Sequence, residues 1–171
     1  MADCNTAIDA TLGVEGIWSD VAADHGGPTK YGITWRTLRT AITAGVVPEM
    51  DIKDLTISHA RIIYKHFFWN PLRLDEVVSQ RVANEMFDTA VNMGIGRSAQ
   101  ITQRAIKLWY REVEVDGIVG AQTLSKINGV PENILFKILN ILQGYRYIEI
   151  CERDISQMVF MKGWINNRVK L

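Results

Sequence analysis

Apolar residues recur along most of this chain at intervals of three and four, the period of an α-helix. Ala7, Ile8, Thr11, Leu12, Val14, Glu15 and Trp18 share that spacing and predict a first helix whose apolar stripe Glu15 continues. Gly26-Gly27-Pro28 breaks the pattern, and residues 29–33 read as a short extended piece or hairpin. Thr34 reads as the N-cap of a helix over residues 35–44 that Gly45 ends. Residues 46–53 form a loop containing Pro48, and Thr56 or Ser58 starts a helix running through His66 and Phe68 until Asn70-Pro71 stops it. Ser79 caps the cleanest pattern, in which Val82, Ala83, Met86, Phe87, Ala90, Val91 and Gly94 form a core stripe. Glu85, Asp88, Thr89 and Asn92 lie to the other side, with Asp88 and Asn92 stacked along one edge. That side reads either as a solvated face or as the polar wall of a cleft.

Gly94-Ile95-Gly96 is the best internal boundary and divides the chain into residues 1–95 and 96–171. Beyond it, Ile101, Ala105, Leu108 and Trp109 mark a helix, Asp116-Gly117 makes a turn, and Gly120 precedes a shorter helix through Leu124 and Ile127. Pro131 opens a long helix over residues 132–153, with Ile134, Leu135, Ile138, Leu142, Tyr145, Ile148 and Cys151 as its apolar positions. The tail is amphiphilic and expected to dock through Trp164. The fold class is all-α with at most a small β-hairpin near residues 29–33.

Composition narrows the function classes. The 171 residues suit one compact domain or one domain with a small appended lobe. Nineteen basic residues balance nineteen acidic ones, which gives no electrostatic case for a nucleic-acid partner. The two cysteines, Cys4 and Cys151, lie far apart in sequence and read as free thiols. The N-terminal residues lack the basic start and apolar core of a signal peptide. No apolar run is long enough to span a bilayer, so stable membrane insertion is not expected.

Candidate chemistry concentrates near the N-terminus. Glu15 and Asp24 stand nine positions apart and flank a turn-rich segment. A glycosidase places two such groups across a cleft, about 6.5–9.5 Å apart when a water must fit between them. A carboxyl on an apolar stripe is partly desolvated, which raises its pKa toward that of a general acid. Thr29 and Thr34 are candidate holders of the water. Among Trp18, Tyr31, Trp35, Phe68 and Trp69, most read as core, and Tyr31 beside Gly32 is the one expected to face a sugar ring. Asp20, Asp24 and His25 are the candidate metal ligands, but they form no paired-His motif or EF-hand loop, so no metal or cofactor is expected. His59 and His66 read as structural, Cys151 lacks a neighbouring base, and no phosphate-binding or dinucleotide motif is present.

With those residues in view the chain resembles glycoside hydrolase family 108, the lysozyme-like N-acetylmuramidases. The resemblance is carried by Glu15-Gly16-Ile17-Trp18 and by Asp24-His25-Gly26-Gly27-Pro28-Thr29-Lys30-Tyr31-Gly32-Ile33-Thr34. A second block runs from Phe87-Asp88-Thr89-Ala90-Val91-Asn92 to Met93-Gly94. A third, from Gln103 through Val115-Asp116-Gly117-Ile118-Val119-Gly120 to Leu124, is similar to the family's peptidoglycan-binding segment. The resemblance implies a lysozyme-like lobe over residues 1–95 and a peptidoglycan-binding lobe over residues 96–171. It implies cleavage of the β-1,4 bond between N-acetylmuramic acid and N-acetylglucosamine in peptidoglycan glycan strands, with Glu15 as general acid. Asp24, Thr29 and Thr34 would assist, and Tyr31, Gly32, Asp88 and Asn92 would line or support the groove. A holin-like membrane partner would release the protein to the wall. A wall-binding accessory protein for secretion and a lytic transglycosylase are the competing readings. Ile17 and Trp18 replace the family's usual Gly and Tyr, which puts the local cleft shape in question and leaves the acid in place.

Overall fold

The computed structural model describes residues 1–12, 18–19 and 29–170, with the backbone alone described at Trp18 and Ser19. Helix α1 (Cys4–Leu12) precedes a sheet of three two-residue strands, β1 (Trp18–Ser19), β2 (Thr29–Lys30) and β3 (Ile33–Thr34). Then come α2 (Trp35–Thr43), α3 (Ile57–Tyr64), α4 (Gln80–Met93), α5 (Ile95–Lys107), α6 (Ala121–Gly129), α7 (Glu132–Arg153) and α8 (Met158–Arg168). The mostly-α class is as expected. The expected hairpin gains a third strand, because Trp18 pairs with Lys30 in β1 rather than extending the first helix.

Local hydrogen bonds explain where the helices start. Thr34 keeps an extended backbone and its Oγ1 accepts from the N–H of Thr37 at 3.1 Å. Ser79 does the same for Val82 at 3.1 Å. Thr56, not Ser58, opens α3. Its hydroxyl accepts from the His59 N–H at 3.2 Å, while His59 Nδ1 accepts from the Thr56 N–H at 3.4 Å, a capping box with histidine in the usual Glu place. After Tyr64 the helix widens into a π-turn, tightens at Asn70–Leu72 and stops at Arg73, whose φ is 52°. Both cysteines are free and buried.

Helix α4 is the hub, packed on α1, α5 and α7. Its Phe87 meets Tyr64 and Trp69 edge-on, with ring centroids 5.8 and 5.9 Å apart. Gly94, at φ 87°, ends α4 and begins α5, so the two helices are separated by one residue. The turn is braced by Ser98 of α5, whose buried hydroxyl donates to the Met86 carbonyl at 2.6 Å. Helix α5 ends before Leu108 and Trp109, which are exposed. The long helix α7 also departs from its expected stripe. It buries Leu135, Phe136, Leu139, Asn140, Gln143, Gly144, Tyr147 and Cys151, and leaves Ile134, Tyr145 and Ile148 exposed.

The polar members of that buried face meet the polar side of α4. Glu85, Asp88 and Thr89 are all buried, so neither a solvated face nor an open cleft wall describes them. Arg168, at the end of α8, donates to Asp88 Oδ1 at 2.7 Å. Gln143 of α7 donates to Asp88 Oδ2 at 3.3 Å and to the Thr89 hydroxyl at 3.0 Å. Asn140 accepts from the N–H of Lys170 at 2.6 Å. Trp164 docks as expected, stacked on Tyr147 with centroids 4.8 Å apart.

Glu85 sits one turn before Asp88, only 1% exposed, and its carboxyl oxygens have no hydrogen-bond partner among the described residues. Burial, and after it the charge of Asp88, pushes its pKa up to about 8; Lys170, the Asn140 amide and Arg81 pull the other way and lose. Two neighbouring carboxyls thus divide the states between them: Asp88 is the anion facing Arg168, and Glu85 is the neutral acid at physiological pH.

Two outcomes follow. The folded chain holds the Glu85 proton between the ordinary value of 4.5 and about 8, where the unfolded chain has lost it. Stability must therefore fall as pH rises through that window, by up to ~1.4 kcal/mol per pH unit from this group. Glu85→Gln is expected to match the parent near pH 4.5 and exceed it at pH 8.5 in urea midpoints; parallel profiles would show that Glu85 is ionised throughout. Arg168→Met removes the guanidinium that faces a buried carboxylate and is expected to cost about 3–5 kcal/mol. Adding Asp88→Asn should recover most of that loss, and thermal melts of the single and double variants read it.

Candidate active site

The best-defined part of the predicted site is the β2–β3 hairpin. Thr29 pairs with Thr34 and Lys30 with Ile33, leaving Tyr31-Gly32 as a two-residue loop. Both loop residues take positive φ, 53° at Tyr31 and 72° at Gly32, as a turn matched to the twist of its strands requires. Glycine adopts this freely; tyrosine does so at a cost of about 1–2 kcal/mol. The buried Tyr64 hydroxyl donates to the Tyr31 carbonyl at 2.9 Å and fixes the turn. Lys30 donates to the Lys53 carbonyl and holds the other edge. Behind the turn, Phe68 is half-buried against Tyr64, at 5.8 Å between centroids. Trp69 is fully buried and donates its indole N–H to Asp75 at 2.8 Å.

The structure therefore brings Thr29, Thr34, Tyr31 and Gly32 together. The register places Ser19, Thr29 and Thr34 in one row across the three strands. The Thr34 hydroxyl caps α2 and lies 3.0 Å from that of Thr37, so it has two neighbours inside the protein. Tyr31 is half-buried against the core. Glu15 and Asp24, and the Asp20 and His25 of the metal alternative, lie outside the described residues. In sequence, Glu15 stands between α1 and β1 and Asp24 between β1 and β2.

The two candidates on α4 are placed differently. The carboxylate of Asp88 is taken by Arg168 and Gln143, which makes it a brace between helices. Asn92, exposed near the end of α4, donates its side-chain amide to the Asp88 carbonyl at 2.8 Å. Among the described residues, no group of three or more His, Cys, Asp or Glu side chains is gathered as a metal site would need.

One feature of this region escaped the sequence reading. Trp35, assigned there to the core, is 39% exposed and heads an open groove of about 620 Å³ along α2, shared with Arg36, Arg39, Thr40 and Thr43. Trp35 directly follows β3 in the chain, and the groove is lined by α2 and Ala44 just after it. An aromatic face flanked by guanidinium and hydroxyl groups is chemically suited to a sugar, whose rings present both C–H faces and hydroxyls. The signal was available: Trp35 directly follows the N-cap, where an apolar residue in the first turn can face outward.

Comparison with known proteins agrees with this picture. The family described as glycosyl hydrolase 108 matches residues 8–94, and the family described as predicted peptidoglycan domain matches residues 97–169. Among solved structures, Brucella abortus SagA is similar, with a TM-score of 0.77 and 26% sequence identity over 95% of this chain and 87% of that one. No curated protein matches in sequence. With more than half its length matched by the first family and most of the remainder by the second, the chain belongs to the glycosyl hydrolase 108 family and is a lysozyme-like protein that acts on peptidoglycan.

Proposed function

We propose that the protein is an N-acetylmuramidase, cleaving the β-1,4 bond between N-acetylmuramic acid and N-acetylglucosamine. Glu15 is the general acid that protonates the leaving glycosidic oxygen, and a water attacks the anomeric carbon from the opposite face. Asp24 supports that exchange, and Thr29 or Thr34 orients the water. Tyr31 and Gly32 contact the sugar, with Asn92 at the groove margin and Asp88 as its internal support. The reading assigns catalysis to residues 1–95 and wall binding to residues 96–171.

The observation that carries the reading is the hairpin. The described part of the run after Asp24, residues 29–34, folds into a turn whose strained Tyr31 is held by a buried tyrosine hydroxyl. Backbone strain of this kind persists only where the surroundings impose it, and it collects at sites that hold a ligand. Beside it the exposed Trp35 opens a groove for the glycan. Delivery to the wall through a holin-like membrane partner belongs to the same proposal.

The discriminating experiment is digestion of purified cell walls with mass spectrometry of the released muropeptides. Reducing muramic acid ends are expected; anhydro ends would mean a lytic transglycosylase. Glu15→Gln is expected to lower release by about 10²–10⁴-fold, the usual worth of a general acid, without changing the melting curve. Unchanged release would remove Glu15 from the mechanism. Retention on walls with no release by the parent protein would mean a binding accessory instead.

A further inference from the structure

Three isoleucines of α7, Ile134, Ile141 and Ile148, follow one another at intervals of seven residues, and Tyr145 stands four after the second. On a helix that spacing puts all four on one stripe. The stripe faces outward: its four side chains are 40–56% exposed, while Leu139 and Gln143 are buried on the opposite side of the helix. Nothing local favours these residues there. Isoleucine is a poorer helix former than alanine, glutamate or lysine, and it gains nothing by facing water. One exposed apolar side chain is ordinary, but a row of them along a helix points to a surface that is covered. The 22 residues of α7 span roughly 33 Å, room for about three heptads of contact.

Charge indicates what covers it. Lys137 lies beside the stripe near its N-terminal end and Glu152 near its C-terminal end. Both are exposed, and neither has an ion-pair partner among the described residues. Arg146 and Glu149, farther round the helix, already pair with each other at 2.9 Å. A second α7 laid antiparallel on the first, about a two-fold axis between Gly144 and Tyr145, sets residues at equal distances from that axis opposite one another. Ile141 then faces the partner's Ile148, Lys137 faces the partner's Glu152, and the symmetry repeats each contact. The two Tyr145 rings meet near the axis. A parallel pair would instead set lysine against lysine and glutamate against glutamate, a like-charge cost that the antiparallel order avoids. The antiparallel order also opposes the two helix dipoles.

We infer that this face of α7 is a self-association surface, through which two copies of the chain pair antiparallel in an isologous contact. The stripe lies away from the side of α7 that carries Gln143, so pairing leaves the contact of Gln143 with Asp88 undisturbed. Such a dimer carries every segment of the chain twice and can hold a repeating polymer at two points.

The test is sedimentation equilibrium of the full chain across the micromolar range, where a monomer–dimer equilibrium is expected. Ile141→Glu/Ile148→Glu is expected to weaken association about a hundredfold, with the melting curve unchanged at a dilution where the parent is monomeric. Lys137→Glu and Glu152→Lys should each weaken it about tenfold, and the two exchanges combined should restore it to near the parent value. A parent that stays monomeric throughout overturns the inference. So does a dimer that survives Ile141→Glu/Ile148→Glu, or a double charge exchange no better than the single ones, which would mean another register or unspecific apolar contact. Retention on insoluble peptidoglycan is measured alongside: a monomeric parent whose retention is lost in the Ile141→Glu/Ile148→Glu variant would make the wall, not a second copy, the occupant of the stripe.

Discussion

The contact between Arg168 and Asp88 joins positions eighty residues apart, and the arrangement of the helices depends on it. Arg168 lies at the end of α8, Asp88 at the middle of the hub helix, and both are nearly buried. Neither could remain charged there alone, since the penalty for an unpaired buried ion is several kcal/mol. Each therefore requires the other, and the pair requires that the tail cross α7. Gln143 of α7 donates to Asp88 and Thr89, and Asn140 accepts from the backbone N–H of Lys170, which explains why a long helix buries two amides and leaves isoleucines outside. Glu85 shows the limit of this arrangement. Arg168 is taken by Asp88, and Lys170 and Arg81 do not offset burial, so Glu85 stays in the interior by keeping its proton.

A second constraint acts one residue earlier on the hub, at Phe87. Tyr64 packs on Phe87 of α4 and sends its hydroxyl to the strained carbonyl of Tyr31. The hairpin is thus held from the same helix that the C-terminal tail clamps. Packing of α4 reaches the turn in two steps, through Phe87 and Tyr64, and reaches the tail in one, through Asp88. Hairpin geometry and tail docking share a single element.

Local chemistry was legible in the sequence and distant chemistry was not. Thr34 and Ser79 could be read as caps because a cap bonds a residue three places on. The Tyr31-Gly32 turn was legible for a similar reason, as Gly32 marks where the chain can take positive φ. Glu85 and Asp88 were misread as facing water or a cleft, since nothing within a helical turn announces a partner at Arg168. The stripe of α7 failed through the same blindness: Asn140 and Gln143 look solvent-facing until the tail and α4 supply their partners. Trp18 fell on the helical period of α1 but belongs to a strand, because a glycine-containing segment intervenes and apolar spacing does not register a break in the chain. Trp35 stood among aromatics of which most read as core, and its place in the first turn after the cap leaves it exposed. The roles of Glu15 and Asp24 rest on sequence, and the described residues build the hairpin that follows them.

The single residue between α4 and α5 has a mechanical meaning. A protein whose catalytic and anchoring segments are joined by a flexible tether can bind at one point and search a sphere around it. Here one helix runs into the next through Gly94, and the tail returns to bolt the far end of the chain back onto the first helix of that pair. No slack remains to be taken up. If residues 1–95 cut and residues 96–171 grip the wall, as proposed, the two would work as a calliper: whatever one end grips would lie at a set distance and bearing from whatever the other end touches. The spacing of the polymer, not the reach of a linker, would then decide which bonds can be addressed.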